Sequence, residues 1–425
     1  MTATLTSAVI GGGISGLTAA HVLARSGPVT LFEADPRLGG HAHTHTVRTR
    51  DGVERQVDSG FIVFNHRTYP LLSRLFDELG VVSQPTEMSL SISCDGCGLE
   101  YSGGQGPRGL FAQPRRLVSP RHLALLAQVP RFHREARRVL TEGGSPDLTW
   151  GEFLRARGFT PDFVSHFAVP FVSCVWSCGQ ADAERYPAHY LFRFLDNHGM
   201  LAVRTGTTWR TVVGGSATYV RAVSERLPAV RTAAPVRAVT RHADGVEVRT
   251  HDDQLHRFDR VVVATHADDA LHLLADATPQ EKEDLSAIDY SDNPTWLHRD
   301  RGALPRARAA RAAWNYRLRS CRADRDSDTS NVRVSYWMNR LQRFDTDDDL
   351  VVTLNPDGWI DPSSVVASMN YRHPVFTVEA LEAAARLRSA GGTRLAFAGA
   401  HLGWGFHEDG CRSGVEAAAR LGASW

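Results

Sequence analysis

A glycine-rich turn near the start of the sequence carries its clearest chemical signal. Gly11, Gly13 and Gly16 follow the apolar stretch Ala8-Val9-Ile10 and precede a run of small residues. In this spacing the first glycine makes a tight turn, the second lets backbone approach a diphosphate, and the third lets a helix pack on a strand. A helix N-terminus favours phosphate through its unpaired N–H groups and its dipole. The expected dinucleotide contacts are Gly11, Gly13, Ile14, Ser15 and Gly16.

The elements that flank a glycine motif decide whether it is a nucleotide site. Here the next strand, residues 29–32, ends in Glu33. An acid about 20 residues beyond the glycines binds a ribose in such units. Gly104-Gln105-Gly106-Pro107-Arg108-Gly109 matches the same glycine pattern, but no buried strand precedes it and Pro107 disrupts the turn. We therefore predict one dinucleotide site, at the N-terminus.

Two cysteine pairs are candidates for a metal site. Cys94 and Cys97 have the spacing of a metal-binding pair, and Cys174 and Cys178 could supply a second pair. However, Asp95-Gly96 lies between two strand-like segments and predicts a hairpin turn. The second pair is separated by three residues within an apolar run. We interpret the six cysteines as structural thiols of a protein in a reducing compartment, and predict no metal there.

Three histidines form a second candidate for metal binding. His41, His43 and His45 alternate in the sequence, which places their side chains on one face of an extended segment. No carboxylate or cysteine follows them at ligand spacing. Polar loop residues near a phosphate site explain the pattern without a metal, and we expect His41 to contact the cofactor.

Residues 107–140 form a strongly basic segment. They include eight arginines and a single acidic residue, Glu135, among apolar side chains. Pro120 and Pro130 predict that the segment is divided into short helices. The segment could be a basic amphipathic surface that lies on anionic lipid. It could equally be the helical cap of a substrate domain, with its arginines in water.

Composition limits the class of protein and its location. The 425 residues correspond to about two or three domains. With 48 basic and 47 acidic residues, overall charge favours no charged partner, and no nucleic acid is expected. No apolar run approaches the roughly 18 residues of a membrane span, and the first apolar stretch is too short for a secretory signal. We predict a cytoplasmic protein, with peripheral contact at the inner membrane face as an open alternative.

The elements expected around these residues are those of an α/β fold. Residues 69–79 have apolar side chains at helical spacing, and Gly80 follows as a C-cap. Residues 261–263, and the part of segment 394–398 that follows Arg394, are continuous apolar runs, which is typical of buried parallel strands. A helix of small residues is expected over residues 411–421.

The segment Glu33-Ala34-Asp35-Pro36-Arg37-Leu38-Gly39-Gly40 closely resembles the FAD signature of the flavin amine-oxidase superfamily. Phe397-Ala398-Gly399 and the later Glu408-Asp409-Gly410 are similar to its C-terminal flavin motif, in which a helix N-terminus points at the flavin ring. Residues 211–216 resemble its central glycine pair, and Val236 matches the strand residue that pairs with adenine. The resemblance implies a Rossmann-like FAD-binding domain of the glutathione-reductase type with an inserted α+β substrate domain.

The resemblance also implies roles for individual residues. Glu33 would hold the adenosine ribose, and Arg37 would reach the ribose and diphosphate. His407 is the candidate proton-handling residue because imidazole titrates near neutrality, although it could instead cap its loop. The FAD contacts expected beyond the N-terminal turn are Glu33, Ala34, Arg37, Gly39, Gly40, His41, Gly60, Val236, Gly399, Phe406, Glu408, Asp409 and Gly410.

The sequence departs from amine oxidases at two points. His41 stands where they usually have an arginine after the glycine pair. They also commonly keep a lysine that holds water at flavin N5. The one lysine of this sequence is Lys282, in the acidic run Glu281-Lys282-Glu283-Asp284. We expect Lys282 on a solvated surface, so ordinary amine oxidation is not favoured.

A closer resemblance extends over nearly the whole chain, to bacterial flavoproteins associated with cyclopropane-fatty-acid synthases and to the N-terminal domain of the plant synthases. It implies that an unsaturated or cyclopropane acyl chain, or a similar apolar substrate, is oxidised or desaturated by hydride transfer to flavin N5. A methyltransferase is an implied partner. The motifs that carry the resemblance are Gly39-Gly40-His41-Ala42-His43-Thr44, Val57-Asp58-Ser59-Gly60-Phe61-Ile62-Val63-Phe64-Asn65, Leu99-Glu100-Tyr101-Ser102-Gly103, Met338-Asn339-Arg340-Leu341-Gln342, His373-Pro374-Val375-Phe376 and Gly405-Phe406-His407-Glu408-Asp409-Gly410.

Three other functions stay open at this point. They are a flavin-dependent double-bond isomerase without net redox, an amine oxidase, and a non-catalytic FAD-binding partner of a lipid methyltransferase. The predicted domains are discontinuous. Residues 1–75, 205–276 and 390–425 form the FAD-binding domain, and residues 76–204 and 277–389 form the substrate domain.

Overall fold

The computed structural model describes residues 5–143, 145, 147–202, 207–321 and 332–425. Residues 205 and 206, which open the predicted second segment of the FAD-binding domain, lie outside the described residues. The strands are β1 (Ser7–Ile10), β2 (Val29–Phe32), β3 (Thr44–Arg48), β4 (Glu54–Asp58), β5 (Ser83–Pro85), β6 (Leu90–Cys94), β7 (Leu99–Gly103), β8 (Arg210–Val212), β9 (Ala229–Arg231), β10 (Val236–Arg241), β11 (Val246–Thr250), β12 (Leu255–Phe258), β13 (Arg260–Val263), β14 (Tyr290–His298), β15 (Trp314–Leu318), β16 (Val334–Trp337), β17 (Val351–Leu354), β18 (Val365–Pro374) and β19 (Leu395–Phe397).

Helices make up the other layers. The α-helices are α1 (Ile14–Leu23), α2 (Pro70–Leu79), α3 (Gly106–Leu110), α4 (Pro120–Glu142), α5 (Trp150–Ala156), α6 (Pro161–Phe163), α7 (Val169–Trp176), α8 (Gln180–Arg185), α9 (Ala188–Asn197), α10 (Ala217–Ser224), α11 (Ala267–Leu273), α12 (Pro279–Ser286), α13 (Met338–Leu341), α14 (Val378–Leu387) and α15 (His407–Arg420). A π-helix spans Val164–Ala168, and short 3₁₀ helices span Pro114–Val118, Arg301–Ala303, Arg308–Ala310, Pro362–Ser364 and Ala400–Leu402.

A five-stranded parallel sheet in the order β19-β13-β1-β2-β9 organises the N-terminal, middle and C-terminal segments of the chain. Val9 and Val262 pack with α1 on one face of this sheet. Ala8 and Val261 pack with the valines of β10 and β11 on the other face. Because both faces are covered, β1 and β13 are buried along their whole length. The parallel strands predicted at residues 261–263 and 394–398 are confirmed, and the fold is α/β and Rossmann-like.

Helix α1 connects β1 to β2 and packs closely on α15. The small residues of the two helices allow this approach, since a Cβ on Gly414 would collide with the carbonyl oxygen of Ser15. Helix α15 begins at His407, whereas the sequence predicted a start at residue 411. The start is earlier because the carboxylate of Asp409 accepts a hydrogen bond from the backbone N–H of Phe406 at 3.1 Å and so caps the helix.

A second sheet, in the order β18-β14-β17-β16-β15-β6-β7, has seven strands. Its strands come from both of the segments predicted as the substrate domain, although the boundaries themselves stay a prediction. Neighbouring strands are antiparallel except for β15 and β6, which are parallel. The hairpin predicted around Asp95-Gly96 is confirmed as β6 and β7.

An aromatic helical layer, α4 to α9, packs beside this sheet. Its buried rings include Phe132, Trp150 and Phe192, which meet edge to face at centroid distances of 5.4 to 6.1 Å. Helix α4 is continuous across Pro130, so the predicted division there is wrong. Proline removes one backbone hydrogen bond, but the packing of Phe132 and the residues after it outweighs that loss. Pro120 begins the helix, where a missing N–H costs nothing.

Other local predictions can be compared with the structure directly. Helix α2 ends at Leu79, and Gly80 follows with a φ of 70°, as its predicted cap requires. Lys282 is exposed on α12, as expected. No helix among the described residues has the length and apolar character needed to cross a membrane.

Candidate functional site

A cavity of about 740 Å³ lies between the parallel sheet, the seven-stranded sheet and the aromatic helices. It begins at the glycine turn after β1, where the first strands of the parallel sheet end. Most of the residues predicted to contact FAD line this one cavity. They are Gly11, Gly13, Ile14, Ser15, Glu33, Ala34, Gly39, Gly40, His41, Gly60, Val236, Gly399 and Phe406, together with His407.

Four of the predicted residues support the cavity through packing or a hydrogen bond. A Cβ on Gly16 would collide with the carbonyl oxygen of Gly11, and a Cβ on Gly60 would collide with that of His41. Gly410 packs against Ile14. Arg37 donates a hydrogen bond to the carbonyl oxygen of Gly40 at 2.8 Å. Gly16, Arg37 and Gly410 thus hold the glycine turns in place from outside the cavity lining.

Glu408 and Asp409 have backbone partners in the structure. The buried carboxylate of Glu408 accepts hydrogen bonds from the backbone N–H groups of Leu71 and Leu72 at 3.1 and 3.0 Å, which caps α2. Asp409 caps α15 and forms an ion pair with Arg412 at 3.3 Å. Neither residue lines the cavity, so direct contact between these two carboxylates and FAD stays a prediction.

The residues at the N-terminus of α1 fit a diphosphate. No side chain caps this helix, and its first turn contains no acidic residue. A Cβ on Gly13 would meet no atom within 4 Å, so the turn leaves open space in front of the helix. Gly39 donates its N–H to the carbonyl oxygen of Gly12 at 2.8 Å, which brings the second glycine pair against the first turn. The free N–H groups and the helix dipole would hold the diphosphate of FAD.

Glu33 lies at the carboxyl end of β2, at the edge of this space. Its Oε2 accepts a hydrogen bond from the backbone N–H of Gly12 at 2.6 Å, and its Oε1 accepts one from Asp35 at 2.9 Å. The carboxylate is therefore fixed beside the glycine turn. This position suits the ribose contact that the sequence resemblance implies.

A group of neutral histidines borders the same cavity. The His41 ring lies 5.0 Å from the Tyr371 ring and 5.2 Å from the His373 ring, centroid to centroid. Burial lowers the pKa of His41 well below its usual value. Burial, with a smaller contribution from His266, lowers that of His373 to about 4. The Nε2 atom of His41 is buried and has no hydrogen-bond partner among the residues that the structure describes, so it is available to a bound cofactor.

The three alternating histidines do not share one face, so that prediction is wrong. The strand β3 begins only at Thr44, and the His41 ring packs against Tyr371 and His373. The rings of His43 and His45 are tilted to each other at a centroid distance of 4.0 Å, and hydrogen bonds connect both residues to the cavity. His43 Nδ1 lies 3.1 Å from the hydroxyl of Tyr371. His45 Nε2 lies 2.8 Å from Ser59 Oγ, which lies 2.7 Å from the hydroxyl of Tyr371.

His407 lines the cavity as expected, but its pKa differs from the expected value. Burial lowers the pKa of His407 to about 3, so the ring is neutral at pH 7. It stacks on Phe61 at 3.7 Å, and its Nε2 lies 3.2 Å from the hydroxyl of Tyr219. These contacts fix the ring at the first residue of α15. The contacts give His407 a structural role. A catalytic role for His407 stays a prediction.

The wall formed by α7, α9 and the strands β15 to β17 is apolar and aromatic. Trp176 donates its indole N–H to the backbone carbonyl oxygen of Trp404 at 3.2 Å, which orients the Trp176 ring. None of the described residues with which these elements line the cavity carries a charge. The lining residues of this wall and its neighbours are Cys174, Val175, Trp176, Ser177, Phe194, Met200, Trp209, Trp314, Tyr336, Leu354, Phe376 and Trp404.

Several of these residues could not be assigned from the sequence. His373 and Phe376 belong to a motif that the sequence resemblance singled out, but Tyr371, two residues earlier, carried no signal of its own. Trp176 and Trp404 are 228 residues apart in sequence. The fold brings such residues together, and single-sequence patterns do not record that proximity.

We expect Gly13→Ala to weaken FAD binding about tenfold or more, equivalent to at least about 1.4 kcal/mol, while the protein stays folded. The φ of Gly13, −74°, suits alanine, and the new methyl group would occupy the open space in front of α1. Flavin content per chain and reconstitution with FAD measure the effect. Gly103→Ala is the control, because a Cβ there would also meet no atom closer than 4.0 Å and Gly103 does not line the cavity. Equal FAD affinity in both variants would contradict this assignment.

We expect the free energy of unfolding to fall as the pH falls from about 6.5 to about 4. Burial lowers the pKa of His373 to about 4 and the pKa values of His401 and His407 to about 3, against about 6.5 in an unfolded chain. In this window the unfolded chain binds more protons, so acid favours it. Thermal unfolding across the pH range measures the slope. His401→Gln should reduce the slope, and a flat profile in the wild type would refute the interpretation.

The chain matches known flavin enzymes in sequence. The family of flavin containing amine oxidoreductases matches residues 14–297. The chain is 24% identical over 266 residues to (S)-6-hydroxynicotine oxidase of Paenarthrobacter nicotinovorans, a match that covers 60% of this chain and 59% of that protein. It is 27% identical over 287 residues to carotenoid phi-ring synthase of Streptomyces griseus, covering 64% and 54%. The chain thus matches little more than half the length of these relatives.

Solved structures show the same fold. A CLA-producing fatty acid isomerase from P. acnes superposes with a TM-score of 0.68 at 16% identity, covering 99% of both chains. Cyclohexylamine oxidase from Brevibacterium oxydans IH-35A superposes with a TM-score of 0.68 at 15% identity, also covering 99% of both. With the cavity geometry and the family match, we conclude that the chain belongs to the flavin containing amine oxidoreductase family and binds FAD.

Proposed function

We propose that the protein is an FAD-dependent oxidoreductase that acts on an apolar substrate, oxidising or desaturating an unsaturated or cyclopropane acyl chain or a similar molecule. The observation that carries the proposal is the uncharged aromatic wall formed by α7, α9 and β15 to β17. Binding a hydrocarbon against such a wall removes apolar surface from water, which contributes a favourable free energy of roughly 25 cal/mol for each Å². An alkyl ammonium that bound against this wall would lose its hydration, and no opposite charge on the wall would compensate for that loss, so its binding there is unfavourable.

The chemistry divides between the cofactor and the protein. Bound FAD supplies the acceptor for a hydride from a C–H bond. The protein excludes water through its aromatic wall and offers proton acceptors in the neutral rings of His41 and His373. The hydroxyl of Tyr371, hydrogen-bonded to Ser59 at 2.7 Å, connects the cavity to the half-buried His45. The hydrogen-bonded residues Tyr371, Ser59 and His45 can carry a proton away from the substrate.

A double-bond isomerase is the second candidate function. Returning the hydride to a different carbon of the substrate, with any lost proton restored through the same hydrogen-bonded residues, would leave no net redox change and need no external electron acceptor. The full-length likeness to a fatty acid isomerase supports the fold for such a reaction. Product analysis separates the two candidates, because an isomerase returns its flavin to the oxidised state and shifts a double bond.

Two other functions have weaker support. The relative named as an oxidase of (S)-6-hydroxynicotine keeps amine oxidation open, but Lys282 is exposed on α12 and does not line the cavity. The other alternative is a non-catalytic FAD-binding partner of a lipid methyltransferase. It does not explain the hydrogen bonds that connect Tyr371, Ser59 and His45. Association with such a methyltransferase stays part of the proposal.

We also propose that the protein contacts the membrane surface where it collects its substrate. Leu117 and Val118, in the 3₁₀ helix before α4, are 54% and 82% exposed. Arg115 is exposed beside them, and Arg121 lies on the surface at the start of α4. Exposed apolar side chains flanked by arginines are typical of a surface that inserts shallowly among anionic lipids.

Anaerobic titration with an unsaturated phospholipid or fatty acid should reduce and bleach the flavin of the wild-type protein. We expect Tyr371→Phe to slow this step by about 10²-fold, the lower end for loss of a proton-transfer group. Tyr336→Phe, which changes another hydroxyl on the cavity wall, is the control and should react at nearly the wild-type rate. Bleaching by amines but not by lipids would refute the proposal, and unchanged lipid with fully oxidised flavin would refute both enzyme candidates.

Flotation with vesicles that contain phosphatidylglycerol should recover the protein in the lipid fraction at low salt. Replacing both Leu117 and Val118 by serine should abolish recovery, because the apolar contact is lost. Val82→Ser is the control, since Val82 is 65% exposed at a different place on the surface. High salt should weaken binding through screening. Equal recovery of all three proteins would exclude this surface as the contact.

A further inference from the structure

Four potential metal ligands meet outside the flavin cavity, from three distant parts of the chain. They are Cys94 and Cys97 of the β6–β7 hairpin, His166 of the π-helix, and Cys321 beyond β15. One ligand atom from each lies within 4.8 Å of all the others. The Sγ atoms of Cys94 and Cys321 are 3.7 Å apart, as are Cys97 Sγ and His166 Nε2. A zinc ion with Zn–S bonds of about 2.3 Å has ligand separations of about 3.8 Å in a regular tetrahedron.

The orientation of His166 is that of a metal ligand. Its Nδ1 lies 3.2 Å from the backbone carbonyl oxygen of Asp162, which can only accept a hydrogen bond. The proton therefore resides on Nδ1, and the lone pair of Nε2 points toward Cys97. Histidines that bind metals usually have this second hydrogen bond, which fixes the ring and its tautomer.

The backbone is shaped to bring Cys321 to the hairpin. Strands β15 and β6 pair in parallel with Leu318 opposite Cys94, and Asp95 donates its N–H to the carbonyl oxygen of Leu318 at 2.8 Å. A Cβ on Gly96 would lie 3.0 Å from the Cα of Ser320 and 3.1 Å from the nitrogen of Cys321. The hairpin glycine thus permits an approach that a larger residue would hinder. The π-helix, an uncommon conformation often found at functional sites, presents His166 to the same point.

We propose that Cys94, Cys97, His166 and Cys321 bind a structural zinc ion. Zinc would displace the three thiol protons and bind the thiolates and the neutral imidazole, with no change in oxidation state. The four protein ligands complete a tetrahedron and leave no position for water or substrate, as in structural rather than catalytic sites. The net charge of −1 would be offset by Arg116, which donates to the carbonyl oxygen of Cys97 at 3.1 Å.

The proposed zinc would strengthen one wall of the flavin cavity. The π-helix that carries His166 continues directly into α7, and α7 contributes Cys174, Val175 and Trp176 to the cavity lining. A zinc ion would tie this helix to the edge of the seven-stranded sheet. The site is independent of which substrate the cavity accepts.

Elemental analysis of the purified protein tests the proposal directly. We expect one zinc per chain after dialysis against metal-free buffer. Replacing zinc with Co²⁺ in the wild-type protein should produce sulfur-to-cobalt charge-transfer bands and the strong d–d bands of a tetrahedral site. This second measurement does not depend on any variant folding.

Variants then locate the ion. Cys97→Ser and His166→Asn should lose most of the bound zinc and unfold at lower temperature, whereas Cys178→Ser, a buried cysteine outside the cluster, should keep one zinc per chain. Zinc-free protein with six free thiols, a disulfide between Cys94 and Cys321, or iron in place of zinc would each overturn the proposal. One zinc per chain in both single variants, Cys97→Ser and His166→Asn, would also overturn the proposal.

Discussion

The predicted cofactor site depends on a helix N-terminus that no side chain in the described part of the chain caps. Helix α1 begins at the carboxyl edge of the parallel sheet, and Gly13 leaves open the space in front of the first turn of the helix. Unpaired N–H groups in a partly buried position are unfavourable unless an anion or water satisfies them. The close packing of α1 on β1 and α15 keeps the helix there, which is why Gly16 and Gly414 matter although neither lines the cavity. We expect the diphosphate of FAD to provide the missing partner.

Burial has a second consequence around the cavity. It keeps the imidazoles of His41, His373 and His407 neutral, so the site presents dipoles and lone pairs instead of positive charges. Neutral rings beside an aromatic wall suit a substrate whose reacting bonds are C–H bonds. Tyr371 connects this neutral group to the half-buried His43 directly and to His45 through Ser59.

The sequence was most informative where function depends on local structure. The glycine turn, Glu33 and the buried strands could be predicted because strand, turn and helix follow one another in the chain. Glu408 was harder to interpret, since its carboxylate caps α2, whose first turn lies 336 residues away. The metal ligands illustrate the same limit. Cys94 and Cys97 were visible as a pair, but their partners His166 and Cys321 are adjacent to them only through the register of β15 on β6 and the position of the π-helix. Pro130 is a further case, because tertiary packing holds α4 together where local propensity predicts a break.

A structure of the protein with its flavin and an unsaturated fatty acid tests the central claim most directly. We expect the diphosphate at the N-terminus of α1, between Gly13 and Gly40, and the acyl chain against Trp176, Phe194 and Trp404. The acyl chain should place no charged group on that wall. FAD bound with its diphosphate at another place would contradict the account. So would an aromatic wall that binds an amine and leaves the acyl chain unbound.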